Sequence, residues 1–152
     1  HKSDMGGVVL GLNSGADVAH VAEGLLALVP GARILVEQMA PPGVEVIVAA
    51  RRDGVVPTLT IGLGGIWTEA LADVVCLPLP ADADRIRLGI QQMRGHVVLT
   101  GGRGTQERDL DGLCMLAATV GDALLAEELT LVEVNPVIVG FTQSVAVDVV
   151  MV

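Results

Sequence analysis

The sequence has no tyrosine, one phenylalanine (Phe141) and one tryptophan (Trp67), so it lacks the aromatic platforms on which single-strand nucleic-acid binders stack bases. It is also short of positive charge. Nine Lys and Arg against 18 Asp and Glu leave a net charge of −9, which nucleic-acid phosphates would repel, and Arg51-Arg52 and His1-Lys2 are the only adjacent basic pairs. An acidic surface of this kind serves solubility. The two cysteines, Cys76 and Cys114, sit in apolar stretches with no CxxC or Cys/His spacing, which predicts core thiols in a reducing compartment. No apolar run approaches the ~20 residues that span a bilayer, and no signal-peptide succession is present. The expected setting is cytoplasmic, with neither membrane nor nucleic acid as a partner.

What remains is rich in Val, Leu, Ala and Ile. With 51% apolar and 18% charged residues over 152 positions, the chain can build a real core. It shows no internal repeat, low-complexity tract or interdomain linker. Helical spacing of Val18, Val21, Ala22, Leu25 and Leu28 predicts a helix over 16–29, entered through Asn13-Ser14-Gly15 and ended by Pro30-Gly31. Strands are expected at Val8–Leu12, Arg33–Met39, Val44–Arg52, Pro57–Ile61 and Val74–Leu77, the last three forming an antiparallel sheet through short Gly/Pro turns. Further helices are expected over Asp82–Met93 and Leu110–Leu125. Two strands, Thr130–Gly140 and Ser144–Val152, follow. The class is α+β, with a mixed or antiparallel sheet flanked by helices.

Polar residues that interrupt these patterns carry the chemistry. At the start, His1-Lys2-Ser3-Asp4-Met5-Gly6-Gly7 offers an imidazole, a lysine charge and backbone N–H groups in one loop, which suits a phosphate. In Leu131-Val132-Glu133-Val134-Asn135-Pro136, Glu133 and Asn135 share one strand face. Pairing with the final strand, where Ser144, Ala146 and Asp148 alternate with Val145, Val147 and Val149, would bring Asp148 to the same side. A carboxylate and an amide carbonyl suit Mg²⁺, and no thiol or imidazole is present to favour zinc; the same pattern equally suits solvent-facing residues of an edge strand. Gly62-Leu63-Gly64-Gly65 fits a bulge or tight turn as well as a phosphate cradle, and no GK[ST] follows to make it a Walker loop. Gly101-Gly102-Arg103-Gly104 fits a helix-flanking turn better than an anion clamp. Glu37 and Glu45 flank Pro41-Pro42-Gly43, where they could accept hydrogen bonds from ribose hydroxyls or simply be exposed. His20 and His96 have no spaced partner and read as structural.

Five segments, in this order, resemble the ATP-grasp domain of NDP-forming acyl-CoA synthetases: HKSDMGGVVLGL, LVEQMAPPGVEVIVAARRDG, TIGLGGIWTEALADV, LTGGRG, and VEVNP followed by Asp148. The family includes the β subunit of ADP-forming acetyl-CoA synthetase and, more distantly, that of succinyl-CoA synthetase. The resemblance implies an ATP-grasp fold with residues 1–36 as a remnant of the small subdomain, truncated at its N-terminus, and 37–152 as the large one. It implies a ligase reaction, acyl-CoA + ADP + Pi ⇌ acid + CoA + ATP through phosphohistidine, with Mg²⁺ and ATP/ADP bound. By position, Asn135 and Asp148 match the Mg²⁺ ligands, and Glu133 the acidic residue that supports the visiting phosphohistidine. His1 matches a histidine with a phosphoryl role. Lys2, Ser3, Gly6 and Gly7 match the loop over the phosphates, and Glu37 and Glu45 the hinge and ribose region. CoA-binding and ligase domains, in the same protein or a partner subunit, are the implied partners within a hetero- or homo-oligomer. Without them the fragment alone is expected to be inactive. The chain departs from the family at Val55-Val56-Pro57, where Phe-Gly-Pro is usual. A different reading is a non-catalytic, synthetase-like regulatory module of a protein acetyltransferase. A third, an ATP-grasp carboxylate–amine ligase, has no need of the histidine in the HKSD loop.

Overall fold

The computed structural model describes residues 6–29, 31–65, 73–102 and 104–152. The chain divides into two compact units, His1–Met39 and Ala40–Val152. In the first unit, helix α1 (Gly15–Leu28) begins at Ser14, whose hydroxyl accepts from the Asp17 amide at 3.1 Å. This satisfies one of the donors that a helix start leaves unpaired. The strands expected at Val8–Leu12 and Arg33–Met39 are not formed. Their apolar content suits strands, but a strand exists only when a neighbour takes its N–H and C=O groups, and neither segment has one among the described residues.

The second unit is an antiparallel sheet backed by helices. Its strands are β1 (Val44–Arg51), β2 (Thr58–Leu63), β3 (Val74–Pro78), β4 (Leu131–Val139), β5 (Ser144–Ala146) and β6 (Val149–Met151). The order is β3-β2-β1-β4-β5, and β6 also pairs with β4. Every strand pair is antiparallel. Alternation decides the faces. Val46, Val48 and Ala50 of β1, with Leu59, Ile61 and Leu63 of β2 and Val132 and Val134 of β4, point into the core. Glu45, Ile47, Ala49 and Arg51 take the other face.

Helices α2 (Ala83–Ile90) and α4 (Leu110–Ala126) cover the core face, with the short α3 (Val97–Thr100) between them. Along α4 the buried residues Leu110, Leu113, Cys114, Ala117, Val120, Gly121 and Leu124 recur at three-to-four spacing. Gly121 is needed for close approach: a Cβ there would lie 2.6 Å from Leu79 Cδ2. Both α2 and α4 are capped by a carboxylate, Asp82 accepting from the Arg85 amide at 2.8 Å and Asp109 from the Gly112 amide at 3.1 Å. The Asp109 backbone also ties α4 to the β4–β5 end, its N–H bonding to the Gly140 carbonyl and its carbonyl accepting from Ser144 Oγ, each at 2.9 Å. Buried Asp73 accepts from the amides of Arg94 and Gly95 at 2.9 and 2.6 Å, pinning the end of the α2–α3 connection to the start of β3.

Cys114 is a core thiol, but Cys76 is exposed, because β3 alternates and turns Val75 and Leu77 rather than Cys76 toward the core. Burial pushes the Cys114 thiol up from its ordinary value, partly opposed by the nearby Arg87 guanidinium. The final strand is broken in two at Val147-Asp148 rather than running unbroken from Ser144 to Val152.

Candidate functional site

That break has its cause in β4. Val46 of β1 faces Val137, whereas Val48 faces Val134, so Asn135 and Pro136 together stand opposite Ile47 in a bulge. A proline has no N–H to give to the ladder and is tolerated inside a sheet at such irregularities. Bulges re-aim side chains. On the other side of β4 the neighbouring chain follows the irregularity: the Val147 amide donates to the Pro136 carbonyl and the Asn135 amide to the Asp148 carbonyl, both at 3.0 Å.

The register then sets which side chains meet. Ser144 and Ala146 face Val139 and Val137, placing them on the core side, and the Ser144 hydroxyl is committed to Asp109. The expectation that Ser144, Ala146 and Asp148 share a face therefore fails. Beyond the break, Val149 faces Val134 and Val150 faces Glu133, so Asp148 lies opposite Asn135. Glu133, Asn135 and Asp148 share the sheet face that looks away from α2 and α4. Asn135 and Asp148 are exposed and Glu133 is partly buried.

Directly opposite cross-strand residues hold their Cβ atoms about 4.5–5.5 Å apart. An amide oxygen and a carboxylate at that spacing can converge on one hard cation, so the donor chemistry fits Mg²⁺. No group of three or more His, Cys, Asp and Glu able to hold a metal occurs among the described residues, which leaves these two as a partial shell that other oxygen ligands must complete.

Glu133 has a partner that the sequence reading missed. Arg51 Nη2 lies 3.4 Å from Glu133 Oε2, with the two side chains 50% and 26% exposed. Ala49 is directly opposite Glu133 and Arg51 is two residues further along β1, so the contact is diagonal. Continuing the alternation of Glu45 and Ile47 would have placed Arg51 on this face.

Glu45 lies on the same face of β1. Its carbonyl accepts from the Gly64 amide at 2.7 Å, and a Cβ on Gly65, whose φ is +62°, would come within 2.8 Å of Glu45 Oε2. Gly64-Gly65 thus makes room for the Glu45 side chain. Gly102 and Thr105 bond to each other: the Gly102 amide donates to Thr105 Oγ1 at 2.9 Å, and the Thr105 amide to the Gly102 carbonyl at 3.0 Å. Arg103 lies outside the described residues, as do His1, Lys2 and Ser3 of the opening loop and Trp67 in the third resembling segment. Gly6, with φ +68°, Gly7 and Glu37 belong to the first unit. No helix among the described residues is long and apolar enough to cross a membrane.

The profile of a family described as ATP-grasp domain matches residues 1–152. The chain is similar to the β subunit of ADP-forming acetate–CoA ligase I from Pyrococcus furiosus, 29% identical across 97% of this chain and 68% of that protein. It is also similar to ADP-forming acetate–CoA ligase II of Archaeoglobus fulgidus, 28% identical across 97% of this chain but only 22% of that longer protein. Among solved structures it superposes on a dinucleotide-forming acetyl-coenzyme A synthetase 1 from Ca. Korarchaeum cryptofilum with a TM-score of 0.89. The two are 30% identical, across all of this chain and 70% of that one. That structure is a complex with coenzyme A and Mg-AMPPCP, its phosphohistidine segment pointing towards the nucleotide binding site. The chain therefore spans about two-thirds of the β subunit and about a fifth of the longer ligase.

Proposed function

The chain belongs to the ATP-grasp domain family, and on that premise we propose that it is the nucleotide-binding, phosphoryl-transfer module of a cytoplasmic ADP-forming acyl-CoA synthetase. The whole protein would run acyl-CoA + ADP + Pi ⇌ acid + CoA + ATP, with CoA-binding and ligase domains elsewhere in the protein or in a partner subunit delivering phosphate on a histidine. The observation that carries the reading is Asn135 opposite Asp148, beside Glu133, on one sheet face.

Phosphoryl transfer asks little covalent chemistry of a protein beyond positioning and charge neutralisation. Asn135 and Asp148 would hold Mg²⁺, which supplies charge neutralisation at the phosphates. Glu133 accepts the N–H of the visiting imidazole and fixes its orientation. Glu45 and Glu37 take the ribose and hinge positions, and Gly6 and Gly7, with Lys2 and Ser3, present amides and charge to the phosphates. His1 serves as a phosphoryl-handling imidazole in the same loop. On this reading residues 1–36 and 37–152 are the small and large ATP-grasp subdomains, a division three residues from that between the units His1–Met39 and Ala40–Val152. The alternative of a non-catalytic acetyltransferase module finds no support in the relatives described above.

The test uses the full-length protein with its CoA-binding partner. Acyl-CoA and phosphate without nucleotide should produce an acid-labile phosphoryl group on histidine, and Mg·ADP should then discharge it as ATP. Absence of phosphohistidine would refute the reading, and acyl phosphate made instead from the free acid and Mg·ATP would favour a carboxylate–amine ligase.

A further inference from the structure

The Arg51–Glu133 contact has no role in the scheme above, yet it sits where charge is hardest to manage. Glu133, Asn135 and Asp148 lie along one face, with residues two apart on a strand separated by roughly 7 Å. An incoming phosphoryl group carries nearly two negative charges, and a nucleotide adds more. A carboxylate held beside them to receive the imidazole N–H would repel both, unless a cation lies on its far side from the Asn135–Asp148 pair. Arg51 is that cation: its guanidinium reaches Glu133 Oε2 across Ala49, which contributes no bulk, and its half-exposed side chain leaves other N–H donors available.

We propose that Arg51 is a positioning residue for phosphoryl transfer, aiming the Glu133 carboxylate at the visiting phosphohistidine and offsetting its charge; the inference rests on the function proposed above. In the step it serves, the ring N–P bond breaks and its electron pair stays on that nitrogen. A β-phosphate oxygen of ADP forms the new O–P bond. The second ring nitrogen keeps its proton, shared with Glu133, so the ring passes from cation to neutral imidazole while ADP becomes ATP.

The experiment is single-turnover transfer from the phosphohistidine of the full-length protein to Mg·ADP, with Mg·ADP affinity measured in parallel. Arg51→Met should slow transfer about 10-fold while leaving Mg·ADP affinity within about twofold, the loss of one charge-assisted contact at a half-exposed position. Arg51→Lys should recover part of the rate, because it restores the charge without the planar fork. In a Glu133→Gln background, Arg51→Met should cost less than about twofold more, since its effect passes through Glu133. Transfer within about twofold of the parent rate in Arg51→Met, an undiminished loss in the Glu133→Gln background, or a loss that falls on Mg·ADP affinity would each overturn the assignment. A parent protein that forms no phosphohistidine overturns the underlying function, and the role of Arg51 with it.

Discussion

Replacing Asn135 and Asp148 by alanine, singly and together, tests whether the two side chains act on one cation. Their backbones are already joined by the Asn135 N–H to Asp148 C=O bond at 3.0 Å, which alanine preserves, so the strand pair should survive each substitution. With Cβ atoms about 5 Å apart and Mg–oxygen distances of about 2.1 Å, both oxygens can reach the same ion. Asp148→Ala removes a charged ligand and Asn135→Ala a neutral one. Taking a charge-assisted contact as worth about 1.5–3 kcal/mol and a neutral one as about 1, Mg·ADP affinity should fall about 10- to 100-fold in the first and about fivefold in the second. Once one ligand is gone the other has less to hold, so the double variant should lose less than the product, with a coupling of about 0.5–1 kcal/mol. Titration calorimetry with Mg·ADP and with ADP plus chelator separates the metal from the nucleotide; chelated ADP should bind all four proteins alike. Strict additivity, or an unchanged Mg·ADP affinity in the double variant, would refute the shared-cation reasoning.

Other outcomes follow from the fold. A thiol reagent should modify exposed Cys76 in the native chain and buried Cys114 only on unfolding; equal reactivity would contradict the burial. Because the Cys114 pKa is raised in the fold from 9.0, its contribution is fully present below that pH and is lost as pH rises through the folded value. Cys114→Ala should therefore flatten the alkaline limb of a stability-against-pH curve. Asp109→Ala removes a helix cap and Ser144→Ala a bond to a different atom of the same residue. Each should cost about 1 kcal/mol in urea unfolding; an unchanged midpoint in either variant would contradict the contact.

Much of this was legible in the chain, for identifiable reasons. Helices α1 and α4 announce themselves by apolar periodicity, α1 also by Ser14 at its start, and β1 by its alternation. Val8–Leu12 and Arg33–Met39 carry the same local signal as β1, but a strand is a property of two segments, and periodicity reports only one. Asp148 reaches the face of Asn135 for a reason that counting could not supply. Simple alternation from Ser144 starts on the wrong side, and the irregularity at Val147-Asp148 reverses it. Pro136, in the middle of an otherwise continuous apolar strand, was the available sign that alternation would break. The Arg51 contact needed the register between β1 and β4, which no single segment encodes.

The bulge also divides the two oxygen donors mechanically. Asn135 rides on β4, which is bonded to β1 on one side and to β5 and β6 on the other. Asp148 rides in the gap between two strands of three residues each at the sheet margin. One donor is bolted to the frame, while the other is carried on a latch. Short marginal strands open at far lower cost than central ones, so a cation bridging the two would draw its rigidity from β4 and confer rigidity on the margin. Occupancy of the pair would then be felt as a stiffening of the 144–151 segment, a mechanical signal at the edge of the domain produced by chemistry on its face.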